Sequence, residues 1–229
     1  MPIPNHLFAD LPKGLRVLAG DSIDAGLKLE RRDFLKLATA SGFALGVFPA
    51  AVSAQAKGNE QVSTSALKPY QQPSAFVKID RDGAVTITIN RLEFGQGVQT
   101  GLPMVLAEEL DADWSKVQSA HGNADPAYLD PVMGMHLTGG STAIKNSYVQ
   151  YRELGARTRS MLLATAARRW GVDPQSLRTQ AGQVIGPQGK KLGYGELADE
   201  AMKMPVPQQV KLKDAKDFRI IGHATGRLD

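Results

Sequence analysis

The stretch Ala84-Val85-Thr86-Ile87-Thr88-Ile89-Asn90-Arg91-Leu92-Glu93-Phe94-Gly95-Gln96-Gly97 passes from an alternating β-branched run straight into a glycine turn. From Val98 the apolar period changes: Leu102, Val105, Leu106 and Leu110 recur at helical spacing, so a helix is expected to run to about Ala112. Working outward, Ala75 to Asp80 is a second strand-like run, and Arg81-Asp82-Gly83 joins the two as a hairpin. Lys116 to Gly122 reads as a further strand. The expected frame is hairpin, glycine turn, helix and strand.

A second glycine turn, Thr138-Gly139-Gly140-Ser141-Thr142, opens a longer helical pattern. Ser141 or Thr142 is the expected N-cap, and Ile144, Tyr148, Tyr151, Thr158, Leu162, Thr165 and Trp170 mark one face. Gly171 and Pro174 end it. Residues 183–229 suggest a small appendix: a turn at Gly186-Pro187-Gln188-Gly189, a helix from Tyr194 to Met202, and a closing strand at Phe218 to Ile221. The fold class is α+β, or open α/β, with a β-hairpin and mixed sheet against two or three helices, one of them long.

Both glycine turns have the chemistry of an anion cradle. Glycine permits the left-handed backbone that lets N–H groups converge, and a helix that follows adds unsatisfied donors and the positive end of its dipole. An ordinary steric turn, or an ordinary capped helix, accounts for the same residues. Arg152, Arg157, Arg159, Arg168 and Arg169 are spread around the helix, as on a solvated face. Glu108, Glu109, Asp111 and Asp113 lie near a helix end, where acids usually face water, and none is assigned catalysis. His121 and His136 are strand-end or loop residues and Met133 and Met135 gap-filling core residues. No metal ligand is assigned.

Composition narrows the partners. Of 27 Lys and Arg and 23 Asp and Glu, six and five fall in residues 1–56, leaving 21 against 18. So small an excess, without a long basic run, gives no indication of nucleic acid. The chain has no cysteine, which excludes thiolate-held iron–sulfur clusters and disulfides. Near the N-terminus, Glu30-Arg31-Arg32-Asp33-Phe34-Leu35-Lys36 precedes an apolar stretch from Leu37 to Val52 and an Ala54-Gln55-Ala56 site. Twin arginines, a modest apolar core and a small-residue site describe a Tat signal rather than a membrane span, although Glu30 stands where Ser or Thr is usual. The expected organisation is a signal over 1–56, a spacer over 57–74, a ligand-binding segment over 75–182 and the appendix over 183–229.

The run Leu92-Glu93-Phe94-Gly95-Gln96-Gly97-Val98-Gln99-Thr100-Gly101-Leu102-Pro103-Met104, then Ala107-Glu108-Glu109-Leu110-Asp111-Ala112-Asp113-Trp114, then Thr138 to Thr142, resembles one known group. It is similar to the large, molybdopterin-binding subunit of the xanthine dehydrogenase/aldehyde oxidase family, in the branch of isoquinoline 1-oxidoreductase and related bacterial aldehyde dehydrogenases. Asp125-Pro126-Ala127-Tyr128 and Phe218-Arg219-Ile220-Ile221-Gly222 fit that branch.

The resemblance implies a molybdenum cofactor carrying a pterin, usually as the cytosine dinucleotide. It would be held by Gly95, Gln96, Gly97, Gly139, Gly140, Ser141 and Thr142, with Thr100 as a weaker match. Gln96 at the turn's tip would offer its amide to a phosphate or pterin edge. The resemblance further implies oxidation of an aldehyde or hydroxylation of an N-heterocycle with water as oxygen source. Implied partners are a small iron–sulfur subunit and, as an optional further one, a cytochrome c subunit. A periplasmic location follows from the Tat translocase, with attachment to the outer face of the inner membrane through partners. The family's catalytic Gly-Glu motif near the far C-terminus has no counterpart here, so the expectation is an N-terminal portion, inactive alone. A non-catalytic exported binding module or a truncated gene product is the alternative.

Overall fold

The β-branched run folds as a hairpin because its turn satisfies itself: the Gly83 N–H donates to Asp80 O, the Asp80 N–H to Ala84 O, and the Asp82 carboxylate accepts from the Ala84 N–H. The computed structural model describes residues 67–229, all within one compact unit spanning 62–229. The expected Tat signal and most of the expected spacer lie outside the described residues. A short helix α1 (Pro73–Phe76) leads into β1 (Val77–Ile79), which pairs antiparallel with β2 (Val85–Ile89). The expected first strand thus loses Ala75 and Phe76 to a helical turn, whose φ is preset by Pro73.

Helix α2 (Val98–Leu110) carries the chain back so that β3 (Val117–His121) lies parallel to β2, with Ile87 opposite Ser119 and Ile89 opposite His121. The sheet order is β1-β2-β3 and the sheet is mixed. Helix α3 (Thr142–Trp170) then crosses α2. The core lies between the sheet and these helices: Phe76, Ile87, Ile89, Leu102, Leu106, Leu110, Tyr151, Leu154 and Leu162 are all buried. The Tyr151 hydroxyl donates to Thr88 O at 3.0 Å and accepts from the Asn90 N–H at 3.0 Å, fixing α3 to the end of β2.

A second sheet is a three-strand antiparallel meander: β4 (Arg178–Gln180), β5 (Gln183–Ile185) and β6 (Lys191–Gly193), followed by α4 (Tyr194–Ala201). These strands were not expected; three residues are too few to show a period of two. The expected helix at Tyr194 is present, and the architecture is α+β. The closing strand expected over Phe218 to Ile221 does not form. Its N–H groups find a carboxylate instead: Glu108 Oε2 accepts from Arg219, Ile220 and Ile221 at 2.9, 2.6 and 3.1 Å.

The charged residues of α2 and α3 correct two further expectations. Glu108 and Glu109 are 1% and 0% exposed. They meet Lys213, Arg152 and Arg159, and Asp111 meets Lys213 and Arg159. Arg157 is buried, donating to Pro207 O, Gln208 O and Glu153. Only Arg168 and Arg169, paired with Glu200, keep much of the solvated character expected of all five arginines. Glu108 and Glu109 escape the usual surface rule because a chain segment rather than water covers that side of α2, and buried charges persist where they are paired.

Candidate cofactor site

β2 and β3 both end at one edge of the sheet, and there a cleft of about 280 Å³ opens, lined by Asn90, Arg91, Leu92, Gly122, Asn123, Ala124, Tyr128, His136, Leu137 and Thr138. Crevices outside the carboxyl ends of parallel strands are where ligands settle in α/β sheets, because the chain leaves there in loops. The wall of this one rests on a buried ion pair. Arg91 Nη2 donates to Asp130 Oδ2 at 2.7 Å and to Ser147 Oγ at 2.8 Å, while Nη1 reaches Asn90 O and Leu137 O. Both side chains of the pair are fully buried. Burial pulls the Arg91 guanidinium below its ordinary pKa, against the pull of Asp130. For Asp130 burial pushes upward, but hydrogen bonds from Met133, Asn146 and Val132 and the Arg91 charge leave it below the usual carboxylate value. Nε of Arg91 has no partner among the described residues.

The first glycine turn has left-handed backbone at Gly95 (φ +104°) and Gly97 (φ +82°), as two converging N–H groups require. Those donors already have an acceptor. Glu93 Oε1 takes the N–H of Gly95 at 2.7 Å and of Gly97 at 3.0 Å, and Oε2 takes that of Gln99 at 2.8 Å. These bonds, led by Gln99 and Gly97, hold the Glu93 carboxyl below its ordinary value. Gln96 closes on its own loop, Oε1 accepting from the Phe94 N–H and Nε2 donating to Leu92 O. The dipole of α2 is thus answered by a carboxylate of its own chain.

The second turn differs. Ser141 sits at the N-cap of α3 in left-handed conformation (φ +56°) and makes no side-chain cap bond. Thr142 does not cap either; its N–H and its hydroxyl both donate to Gly139 O, at 3.2 and 2.7 Å. The first turn of this 29-residue helix carries no acid. Its dipole meets no side-chain acceptor at the cap.

The two turns are brought to the same end of the molecule. Thr138 Oγ1 accepts from the Leu92 N–H at 2.9 Å, and Ile144 stands against Gly101 across α2 and α3. Thr100 is placed otherwise: its hydroxyl donates to Asp229 at 2.7 Å and accepts from the Leu228 N–H at 2.9 Å. His121 ends β3, with Nδ1 3.1 Å from Arg91 O, and His136 lines the cleft. Among the described residues no three His, Cys, Asp or Glu side chains are grouped to hold a metal ion.

Met133 and Met135 are not core residues. They are 55% and 52% exposed, beside Val132 at 70%, with Leu92 at 64% and Phe94 at 71% on the other loop. Asp130 causes this: Oδ1 accepts from the N–H of Val132 and Met133, and its backbone bonds Gly134 and Met135, so a tight turn forces the side chains outward. The Arg91–Asp130 pair escaped the sequence because 39 residues separate the partners. Glu109 was findable, since it falls seven residues after Leu102 on the apolar face of α2.

The family model described as the molybdopterin cofactor-binding domain matches residues 25–226. The chain belongs to this family. The isoquinoline 1-oxidoreductase subunit beta of Brevundimonas diminuta is 35% identical over 181 residues, 77% of this chain and 22% of that protein. The membrane-bound aldehyde dehydrogenase (pyrroloquinoline-quinone) of Gluconacetobacter polyoxogenes is 31% identical over 164 residues, 67% of this chain and 20% of that one. Among solved structures, quinoline 2-oxidoreductase from Pseudomonas putida 86 covers 59% of this chain and 17% of its own at 21% identity, with a TM-score of 0.43. The chain spans about a fifth of the length of the curated relatives it matches.

Proposed function

We propose that this chain is the cofactor-binding N-terminal portion of a molybdenum hydroxylase large subunit. The whole enzyme oxidises an aldehyde or hydroxylates an N-heterocycle with water as the oxygen source, and passes electrons to a small iron–sulfur partner subunit. The observation that carries this reading is the match of residues 25–226 to the molybdopterin cofactor-binding domain. The Leu92–Thr138 hydrogen bond, between two residues that line the cleft, ties together the segments that lead into the two glycine turns. The 229 residues contain no cysteine, so they offer no thiolate to a cluster, in keeping with clusters held elsewhere in the assembly.

The residues present fit the cofactor unequally. The Gly139-Gly140-Ser141-Thr142 turn, with an uncapped long helix behind it, suits the anionic end of a pterin dinucleotide. The Gly95-Gln96-Gly97 turn, its donors taken by Glu93 and its Gln96 amide closed on the loop, would meet the cofactor by shape rather than by free donors. Asn123, His136 and Thr138 in the cleft offer polar groups to a heterocycle edge. When bound, molybdenum supplies a two-electron redox centre; this chain binds and orients the group and contributes no catalytic carboxylate. The cytosine dinucleotide is the form we expect. The exposed apolar loops at Leu92, Phe94, Val132, Met133 and Met135 suit contact with the remainder of the enzyme. Twin arginines before an apolar stretch suit Tat export of a folded, loaded protein to the periplasm.

The test is metal and pterin analysis of the native complex, recovered from its own cells through a tag on this chain. Molybdenum and a pterin nucleotide are expected together, and the chain produced alone is expected to hold neither and to oxidise no aldehyde. A native complex carrying a quinone and no molybdenum would overturn the reading.

A further inference from the structure

Residues 213–229 follow an irregular path along α2, with one short 3-10 turn at Ala215–Asp217. Backbone donors in such a segment need partners outside it, because a buried N–H without an acceptor is costly. Side chains of α2 supply several. Glu109 accepts the Lys213 N–H with both oxygens, at 3.2 and 3.1 Å, and Glu108 Oε1 takes Lys213 Nζ at 2.9 Å. Glu108 Oε2 then gathers the three N–H groups of 219–221, and Ile220 is buried in the core beside it.

Farther on, Trp114 Nε1 donates to Gly226 O at 3.1 Å, and Leu228 and Asp229 close on the Thr100 hydroxyl. Thr100 belongs to the first turn of α2, where its N–H and that of Gly101 both donate to Gly97 O, at 3.3 and 2.9 Å. Arg227 pairs with Asp229, and Gly97 O is one hydrogen bond from the residue that the segment's end engages. The same short segment therefore engages the buried carboxylate of Glu108 at one point and, through Thr100, the helix turn that bonds Gly97 at another.

We infer that residues 213–229 form a strap that holds the Gly95-Gln96-Gly97 turn in order, with Glu108 and Thr100 as positioning residues acting through it. Seating at Glu108 sets the register of the strap, and Thr100 receives its far end. The turn's order is then set from both sides, by Glu93 within the loop and by the strap beneath it. The consequence for cofactor capture rests on the function proposed above; the coupling itself does not.

Amide hydrogen exchange on the full chain separates the two. Thr100→Val keeps the shape of the side chain and removes both strap contacts. It is expected to speed exchange at Gly95, Gly97 and Gln99 by about tenfold and at Leu228 likewise, leaving 219–221 protected. Thr100→Ser is expected to restore wild-type rates. Glu108→Gln should open 219–221 and the glycine turn together. Unchanged rates at Gly95, Gly97 and Gln99 in Thr100→Val overturn the inference, whether or not Glu108→Gln folds, and so does failure of Thr100→Ser to rescue. Because exchange is read without cofactor, a strap shown to be coupled in a protein that proves to hold no molybdenum would leave this inference standing and remove only the functional reading.

Discussion

Gly155 on α3 lies directly beneath the backbone carbonyl of Leu106 on α2, and a β-carbon added there would also stand 2.9 Å from Cβ of Glu109. The obstructing atoms are helix backbone and cannot swing aside. Gly155→Ala is therefore expected to push α2 from α3 and destabilise by about 1–3 kcal/mol, even though alanine is the better helix former. Chemical denaturation checks this. A variant as stable as the wild type would mean that the helices do not cross so closely.

The Arg91–Asp130 pair leads to a second expectation. Asp130→Asn strands a buried guanidinium, and Arg91→Met strands a buried carboxylate that still accepts three backbone or amide donors. Breaking one partner of a buried pair costs about 3–5 kcal/mol. Arg91→Met is expected to be the milder change, because the Val132, Met133 and Asn146 bonds to Asp130 survive. Urea midpoints of the two variants, measured side by side, test that order.

Acid should unfold this protein through named groups. Burial raises Glu108, but bonds from Ile220, Lys213, Ile221 and Arg219 leave its carboxyl below the ordinary value; Asp130 is likewise depressed. A depressed folded pKa means that the unfolded state takes up the proton first. The stabilisation is thus fully present above the unfolded carboxylate range, about pH 4, and is lost as pH falls through the lower folded values. Melting temperature is expected to be level from pH 7 to 5 and to fall below that, with a shallower fall in Glu108→Gln. An equally steep acid slope in that variant would assign the loss to other groups.

Much of this was legible beforehand, and for a common reason. β2, α2, β3 and α3 each carry enough residues to display a period, and the two glycine turns sit at the changes of period. The β4-β5-β6 meander has only three residues per strand, too short to show any. Phe218-Arg219-Ile220-Ile221 does have strand-like composition, yet no strand is there to receive it, and Glu108 takes its N–H groups. Nor could spacing reveal that Glu93 would fold back on the turn that follows it, because a loop carboxylate has no pattern; only its distance of two to six residues from the donors hints at it.

Ser141 or Thr142 is the expected cap of α3, and a lost cap would cost about 1 kcal/mol. Ser141 makes no side-chain cap bond, and the Thr142 hydroxyl donates to Gly139 O instead. Ser141→Ala should therefore leave the melting temperature nearly unchanged, and Ser141→Gly should hold or raise it by relieving the left-handed strain. If the hydroxyl contacts cofactor, both variants lower molybdenum content in the assembled enzyme. Metal content unaltered in both would leave Ser141 without a binding role.

Arg31→Lys with Arg32→Lys preserves charge but removes the planar forks that a receptor can read. Fractionation of cells carrying the doubly substituted full-length protein is expected to find it in the cytoplasm. Undiminished periplasmic protein would count against Tat export.

Glu93 holds the Gly95, Gly97 and Gln99 amides whether or not anything else is bound. The loop therefore needs no guest to acquire its form. A loop that is finished in advance spares any later association step the entropy of ordering it. Under the proposed function, capture becomes a matter of docking the cofactor onto a surface already shaped. That arrangement would suit the proposed export of a protein already folded and loaded.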